Sequence, residues 1–333
     1  MPRHLLLALV SLYLVSRAFA AAHEPSYTIT LFNVPGTTYT TAFAINARGQ
    51  IIGNYQDASS QGHGYLFDHG TFTTIDPPGA TETFPTAINL RGQVVGHYQD
   101  ASFRTRGFLF DRGTFTPIDP PGAISTFPTA INIWGQIVGH YTDATFQTHR
   151  FLFDHGTFTP IVPPGAILTT DMAINARGQI VGSYVTGTGF PPQEHGFLFD
   201  NGAFTSLDVP GAISTTATEI NNRSQIVGHF TDANPQFRSF LFDRGIFTPL
   251  DPPDATFTQV TGINDRSQIV GYYMDANVGH KIRGFLFEAG HVTVIDVPEA
   301  GFLEPQAINI WGQIVGVTGI TQIVGFLATP TKP

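Results

Sequence analysis

The chain has 333 residues, 42% hydrophobic and only 12% charged, with 35 Gly, 24 Pro, no Cys and a formal net charge of −9 at pH 7. The missing cysteine excludes disulfides, thiolate metal sites and cysteine nucleophiles together. The acidic balance argues against nucleic acid or an anionic membrane as a partner, and so few charges suit strands buried on both faces.

Arg3, the apolar run from Leu5 to Val15 and then Ala18-Phe19-Ala20 have the form of a secretory signal cleaved after Ala20. The run is too short to span a bilayer as a stable helix, so no membrane span is expected after cleavage; an uncleaved anchor is the alternative. Cleavage removes Arg3 and Arg17 and no acid, leaving 14 basic against 25 acidic residues, a net charge of −11. A secreted or periplasmic monomer is expected, with residues 1–20 as signal, 21–26 as linker, 27–329 as one domain and 330–333 as a tail.

The mature chain opens on a strand-like segment, Tyr27 to Val34, that exits at Pro35-Gly36. A repeat follows seven times. Its mark is an Asn with a Gln four residues on, at Asn46, Asn89, Asn132, Asn175, Asn221, Asn264 and Asn309, spaced by 43, 43, 43, 46, 43 and 45 residues. That period is the length of a propeller blade. Helical repeats would need long amphipathic runs, which the chain lacks, and a β-helix coil would be much shorter.

The third unit parses into four strands. These are A, Thr129 to Asn132; B, Gln136 to Tyr141; C, Phe151 to Asp154; and D, Thr157 to Ile161. Gly135 closes the A–B turn, Asp154-His155-Gly156 the C–D turn, and Pro163-Pro164-Gly165 ends strand D. Strands B and C are apolar on both faces, so one such sheet cannot shield itself and must stack on neighbours. The seventh unit has strands A (Gln306 to Asn309), B (Gln313 to Val317) and C (Gly325 to Ala328), then stops. Tyr27 to Val34 has the pattern of the missing strand D. The expected fold is all-β: a seven-bladed β-propeller of four-stranded antiparallel blades, the last blade closed by the N-terminal strand.

The units resemble the bacterial extracellular HAF-repeat family, named for a His-Ala-Phe tripeptide ahead of strand C. The matching tripeptides are His63-Gly64-Tyr65, Arg106-Gly107-Phe108, His149-Arg150-Phe151, His195-Gly196-Phe197, Arg238-Ser239-Phe240 and Arg283-Gly284-Phe285. The Ile-Asn-x-x-Gly-Gln-Ile-Val-Gly core and the Ile-Asp-Pro-Pro-Gly-Ala segment match more closely. The resemblance covers nearly all of the mature chain. It implies export and a propeller-like repeat, and it brings no catalytic residues.

In a propeller the A–B and C–D turns share one face, and the B–C and D–A loops share the other. The A–B turns carry Arg48, Arg91, Trp134, Arg177, Arg223, Arg266 and Trp311. An Arg ring broken by Trp134 and Trp311 suits an anionic sugar or a partner's acidic loop; the structural alternative pairs each Arg with the C–D acids Asp68, Asp111, Asp154, Asp200, Asp243 and Glu288. The opposite face carries Asp57, Asp100, Asp143, Asp232 and Asp275 in B–C loops and Asp76, Asp119, Asp208, Asp251 and Asp296 in D–A loops. Carboxylates in this number admit Ca²⁺, but no Asp-x-Asp-x-Asp-Gly spacing occurs, and turn Asp residues bonding their own backbone is the plainer reading. His97, His140 and His229 share one strand B position on separate blades, which favours packed, hydrogen-bonded rings over a metal site.

A unique site belongs where the repeat breaks. Two residues before each Asn stand Ala44, Ala87, Ala130, Ala173, Glu219, Gly262 and Ala307, and Glu219 is the exception. Asp171 and Glu304 enter strand A nearby. Three carboxylates near the axis could serve glycoside hydrolysis; solvated acids at a channel mouth are the alternative. The irregular loop from Thr186 to His195, with Phe190, is placed beside Asp171 and Glu219. The candidate ligand-binding residues are therefore Phe190, Glu219, Trp134 and Trp311. The favoured function is an exported, non-catalytic scaffold for a protein or carbohydrate ligand, the rival a propeller glycoside hydrolase or lyase.

Overall fold

The structure, a computed structural model, describes residues 26–331 apart from 188–192, 280, 298 and 320. In the third unit strand A spans Ala123–Ile131, B Ile137–Asp143, C Thr148–Asp154 and D Thr157–Pro160, hydrogen-bonded antiparallel in that order. Seven such four-stranded units follow one another, so the molecule is a seven-bladed β-propeller. One three-residue 3-10 turn, Ala276–Val278, is the only helical element among the described residues.

Strand A starts at Ala123 rather than near Thr129. Strand A is the edge strand of its sheet, where Pro128, a residue without an N–H, is tolerated. Pro85, Pro128 and Pro305 occupy this strand in blades 2, 3 and 7, opposite Gly96, Gly139 and Gly316 of strand B. A bulge follows each proline and pulls strand A close. A Cβ on Gly139 would lie 2.4 Å from the Phe127 carbonyl oxygen, which is why only glycine fits.

The core is repeated between blades rather than held in one place. Each strand B contributes a fully buried pair, such as Ile137-Val138, and each strand C one large ring. Those rings are Tyr65, Phe108, Phe151, Phe197, Phe240, Phe285 and Phe326, all 0–1% exposed. Val95 and Ile118 of blade 2 pack with Ile131, Ile137 and Phe151 of blade 3. Each such ring contributes about 1.5–3 kcal/mol, and it packs against strand B and the end of strand D of the preceding blade.

The chain ends close the circle as expected. Tyr27–Phe32 pairs antiparallel with Ile323–Pro330, from Tyr27 opposite Pro330 to Phe32 opposite Gly325. Phe32 then stacks on Phe67 of blade 1 with ring centroids 5.6 Å apart, so the closing strand also packs on the blade after it.

Candidate functional site

The A–B turn face is built around the repeated asparagine. Asn132 Oδ1 accepts from the backbone N–H of Trp134 (3.0 Å) and of Gln136 (3.1 Å). Its Nδ2 donates to Gln136 Oε1 (2.7 Å) and to the carbonyl of Asn175 in the next blade (3.1 Å). The interblade bond recurs from Asn46 through Asn264 and ends with Asn309 donating to the Asn46 carbonyl. Seven asparagines thus form a closed hydrogen-bonded belt about the axis.

The C–D acids take a different partner from the expected one. Gln50, Gln93, Gln136, Gln179, Gln225 and Gln268 donate Nε2 to Asp68, Asp111, Asp154, Asp200, Asp243 and Glu288 at 3.0–3.2 Å. The glutamine lies within the same sheet and is short enough to be held in place, whereas an Arg at the turn would have to fold back. Among the described residues none of the five turn arginines forms an ion pair. Instead Arg91 lies over Trp134 (5.8 Å) and Arg266 over Trp311 (5.9 Å). Trp134 Nε1 donates to the Ala176 carbonyl and Trp311 Nε1 to that of Ala47, both 2.8 Å. Each indole therefore fastens its blade to the next, while staying 59% and 57% exposed.

On the opposite face each B–C aspartate caps its own loop. Asp57 accepts from the N–H groups of Ser59 and Gln61, and Asp143 from those of Thr145 and Gln147. The Ser59 hydroxyl holds Asp57 down to about 2, and the Thr145 hydroxyl, with His149, lowers Asp143 further. The residue opening the His/Arg-x-aromatic tripeptide bridges the two loops. His63 bonds Asp76 (2.6 Å) and Asp57 (3.4 Å), and Arg238 bonds Asp232 (3.0 Å) and Asp251 (2.9 Å). Among the described residues no group of three or more His, Asp or Glu converges as metal ligands would.

His97 and His140 are packed as expected, but by ring stacking. His97 lies against Phe84 and Phe127, and His140 against Phe127. His97 Nδ1 has no hydrogen-bond partner. Burial pushes both rings down to about 4. Sequence reasoning missed the exposed apolar residues of this face. Phe103 and Phe146, at equivalent B–C loop positions in blades 2 and 3, are 80% and 81% exposed with φ of 60° and 62°. Ile124 at the start of strand A in blade 3, and Val162, Ile167 and Ile213 in D–A loops, are exposed as well. The available signal was Phe after Asp-Ala-Ser or Asp-Ala-Thr, where Ser60 stands in blade 1.

The axis holds two cavities. One, about 380 Å³, opens at the A–B turn end beside Leu90, Ile133, Ile310, Asn222 and Asp265. The other, about 220 Å³, is ringed by the seven positions predicted to crowd the axis: Ala44, Ala87, Ala130, Ala173, Glu219, Gly262 and Ala307. Isoleucines just before the belt, including Ile88, Ile131, Ile174, Ile263 and Ile308, border both. Glu219 is the only ionisable side chain in the second cavity's described lining, and burial raises its carboxyl to about 7.

The other predicted residues do not gather there. Glu304 pairs across to Val317, outside that lining, and its own burial raises it. The Asp171 side chain and Phe190 lie outside what the structure describes. Glu194, four residues after Phe190 in the chain, accepts from the hydroxyls of Ser183 (2.7 Å) and Thr216 (3.0 Å), joining blades 4 and 5. Trp134 and Trp311 belong to the opposite face, so Glu219 and the indoles form no single site.

No family model matches this chain, and no curated protein matches its sequence. Solved structures, a β-propeller domain among them, resemble its architecture. The β-propeller domain of the Trilobed protease from Pyrococcus furiosus covers 89% of this chain and 96% of its own, with a TM-score of 0.65 and 10% identity. That domain is described as having an open velcro topology, whereas here the two chain ends pair. A puromycin-hydrolysing peptidase from Mycobacterium tuberculosis covers 86% of this chain and 51% of its own at a TM-score of 0.57 and 9% identity. YCF48 bound to D1 peptide covers 92% and 96% at 0.54 and 10%. At such identities the likeness establishes the fold and leaves activity to side-chain chemistry. Among the described residues no helix is long and apolar enough to cross a membrane.

Proposed function

We propose that this protein is an exported, non-catalytic propeller of the HAF-repeat type that binds a macromolecular partner, foremost a protein, through its B–C and D–A loop face. The observation that carries this reading is the pair Phe103 and Phe146. Each is a bulky side chain in left-handed backbone, about four-fifths exposed. Such a conformation costs free energy, and so does leaving the ring in water. With Ile124, Val162, Ile167 and Ile213 they spread apolar surface over blades 2 to 5, the signature of a protein contact. The repeated polar residues, by contrast, are consumed in belts and bridges that hold the fold.

A glycan-binding reading rests on Trp134 and Trp311, whose exposed indoles are propped by arginines. Hydrolysis needs two carboxylates about one sugar; Glu219 has no second acid beside it in the described lining of its cavity, which disfavours that rival. A photo-crosslinking residue placed at Phe103 or Phe146, with Ile246 on the other face as control, tests the choice in the producing cells. A discrete protein adduct at the first two positions alone supports the proposal. No adduct, with glycan-array binding lost in Trp134→Ala, supports the glycan reading, and turnover of a chromogenic glycoside, assayed with and without calcium, refutes both.

A further inference from the structure

We propose that the axial cavity around Glu219 is a binding site for a small alkylammonium ion, its ammonium head on the carboxylate and its alkyl tail among the alanine and isoleucine side chains. The inference goes beyond the loop-face reading and stands whether or not that face binds a protein. Six of the seven equivalent positions are Ala or Gly, and one places a carboxylate in their midst. Glu219 lines this cavity and keeps part of its surface accessible. Its carboxylate has no hydrogen-bond partner or counter-charge among the described residues. An isolated carboxylate in such surroundings must either hold a proton or take in a cation.

The cavity's chemistry selects among cations. A hard metal ion needs about six oxygen ligands. The threonines here are turned to other work, Thr86 and Thr261 donating to the Pro128 and Pro305 carbonyls of the next blades. Gln306 offers one more acceptor in the lining. A primary ammonium needs only two or three acceptors, and its carbon tail gains from the apolar wall. About 220 Å³ accommodates a short chain. No other titratable side chain belongs to the described lining, so proton and ammonium compete for one group.

Titration with n-butylammonium chloride, followed by isoleucine δ-methyl NMR, tests this, with 1-butanol as the uncharged isostere. With the group at about 7, the ionised fraction drops from about nine-tenths at pH 8 to about one-tenth at pH 6. Butylammonium should therefore shift the Ile131 and Ile174 methyls saturably at pH 8 and bind about tenfold more weakly at pH 6. Glu219→Gln should abolish the pH-dependent binding, and Ala130→Leu, which fills the cavity and keeps the carboxylate, should abolish it too. Absence of saturable shifts at pH 8 in the wild type, equal binding by Glu219→Gln, or equal binding of butanol would overturn the proposal.

Discussion

At the residue scale the belt asparagine is used to capacity. Both lone-pair directions of Asn132 Oδ1 and both Nδ2 hydrogens have partners. Asn132→Asp keeps the acceptors and removes both donors, leaving Gln136 Oε1 without its donor in a half-buried place and the Asn175 carbonyl with the Gly178 N–H alone. Stranded groups of this kind cost about 1–3 kcal/mol each, so the urea midpoint should fall clearly, while an unchanged midpoint would show the belt to be incidental. Titration gives a second test. His97 and His140 are held near 4 against an ordinary 6.5. Above 6.5 folded and unfolded chains both leave them neutral. As pH falls from 6.5 toward 4 the unfolded chain takes up protons that the folded rings refuse, and stability is lost. His97→Gln with His140→Gln should flatten that acid limb. His63 runs the other way, because its bonds to Asp76 and Asp57 outweigh burial and raise it; its contribution is full below 6.5 and fades as pH rises through the folded value. A structural role for the repeated Asn is legible in the sequence, because seven copies cannot mark one asymmetric site and an Asn side chain suits a turn backbone. The partner of the C–D acids was not, since Gln and Arg, two residues apart in the turn, both reach that face and only side-chain geometry decides between them.

At the element scale the sequence showed strands B and D and the end of strand C well, because Gly or Asp-x-Gly turns mark them, but strand C begins at Thr148, three residues before the expected Phe151. Strand A was read short, and its place at a sheet edge is what makes Pro128 a strand residue. The cross-strand glycine is the matching half of that device, since its missing side chain admits the bulge. The candidate site was legible only in part. Glu219 stood out as the break in a column of small residues, and the structure does place it on the axis. Phe103 and Phe146 were overlooked because an aromatic in a strand-rich chain is ordinarily core, and exposure depends on the left-handed turn. Tyr27–Phe32 is the element whose loss is most informative. It covers the strand at Ile323–Pro330 and seats Phe32 against Phe67 and Phe72. Deleting Tyr27 to Val34 strips the last blade to three strands and should lower the melting temperature sharply; an unchanged melt would mean the blade needs no fourth strand.

For the whole molecule, stability is a property of the circle. Each blade hides its neighbour's Ile-Val pair and buried ring, and the asparagine belt, the Trp311–Ala47 bond and the N-terminal strand all cross the join between blades 7 and 1. The absence of native cysteine makes that join open to a clean measurement. Thr28 and Thr329 are exposed Cα partners on the closing pair. The double variant Thr28→Cys, Thr329→Cys should form a disulfide under mild oxidation of the folded protein and raise the melting temperature, since a cross-link closing so long a loop restrains the unfolded chain by about 6 kcal/mol in the entropic limit. Thiols that stay reduced while the protein remains folded would show that the two ends do not share a blade.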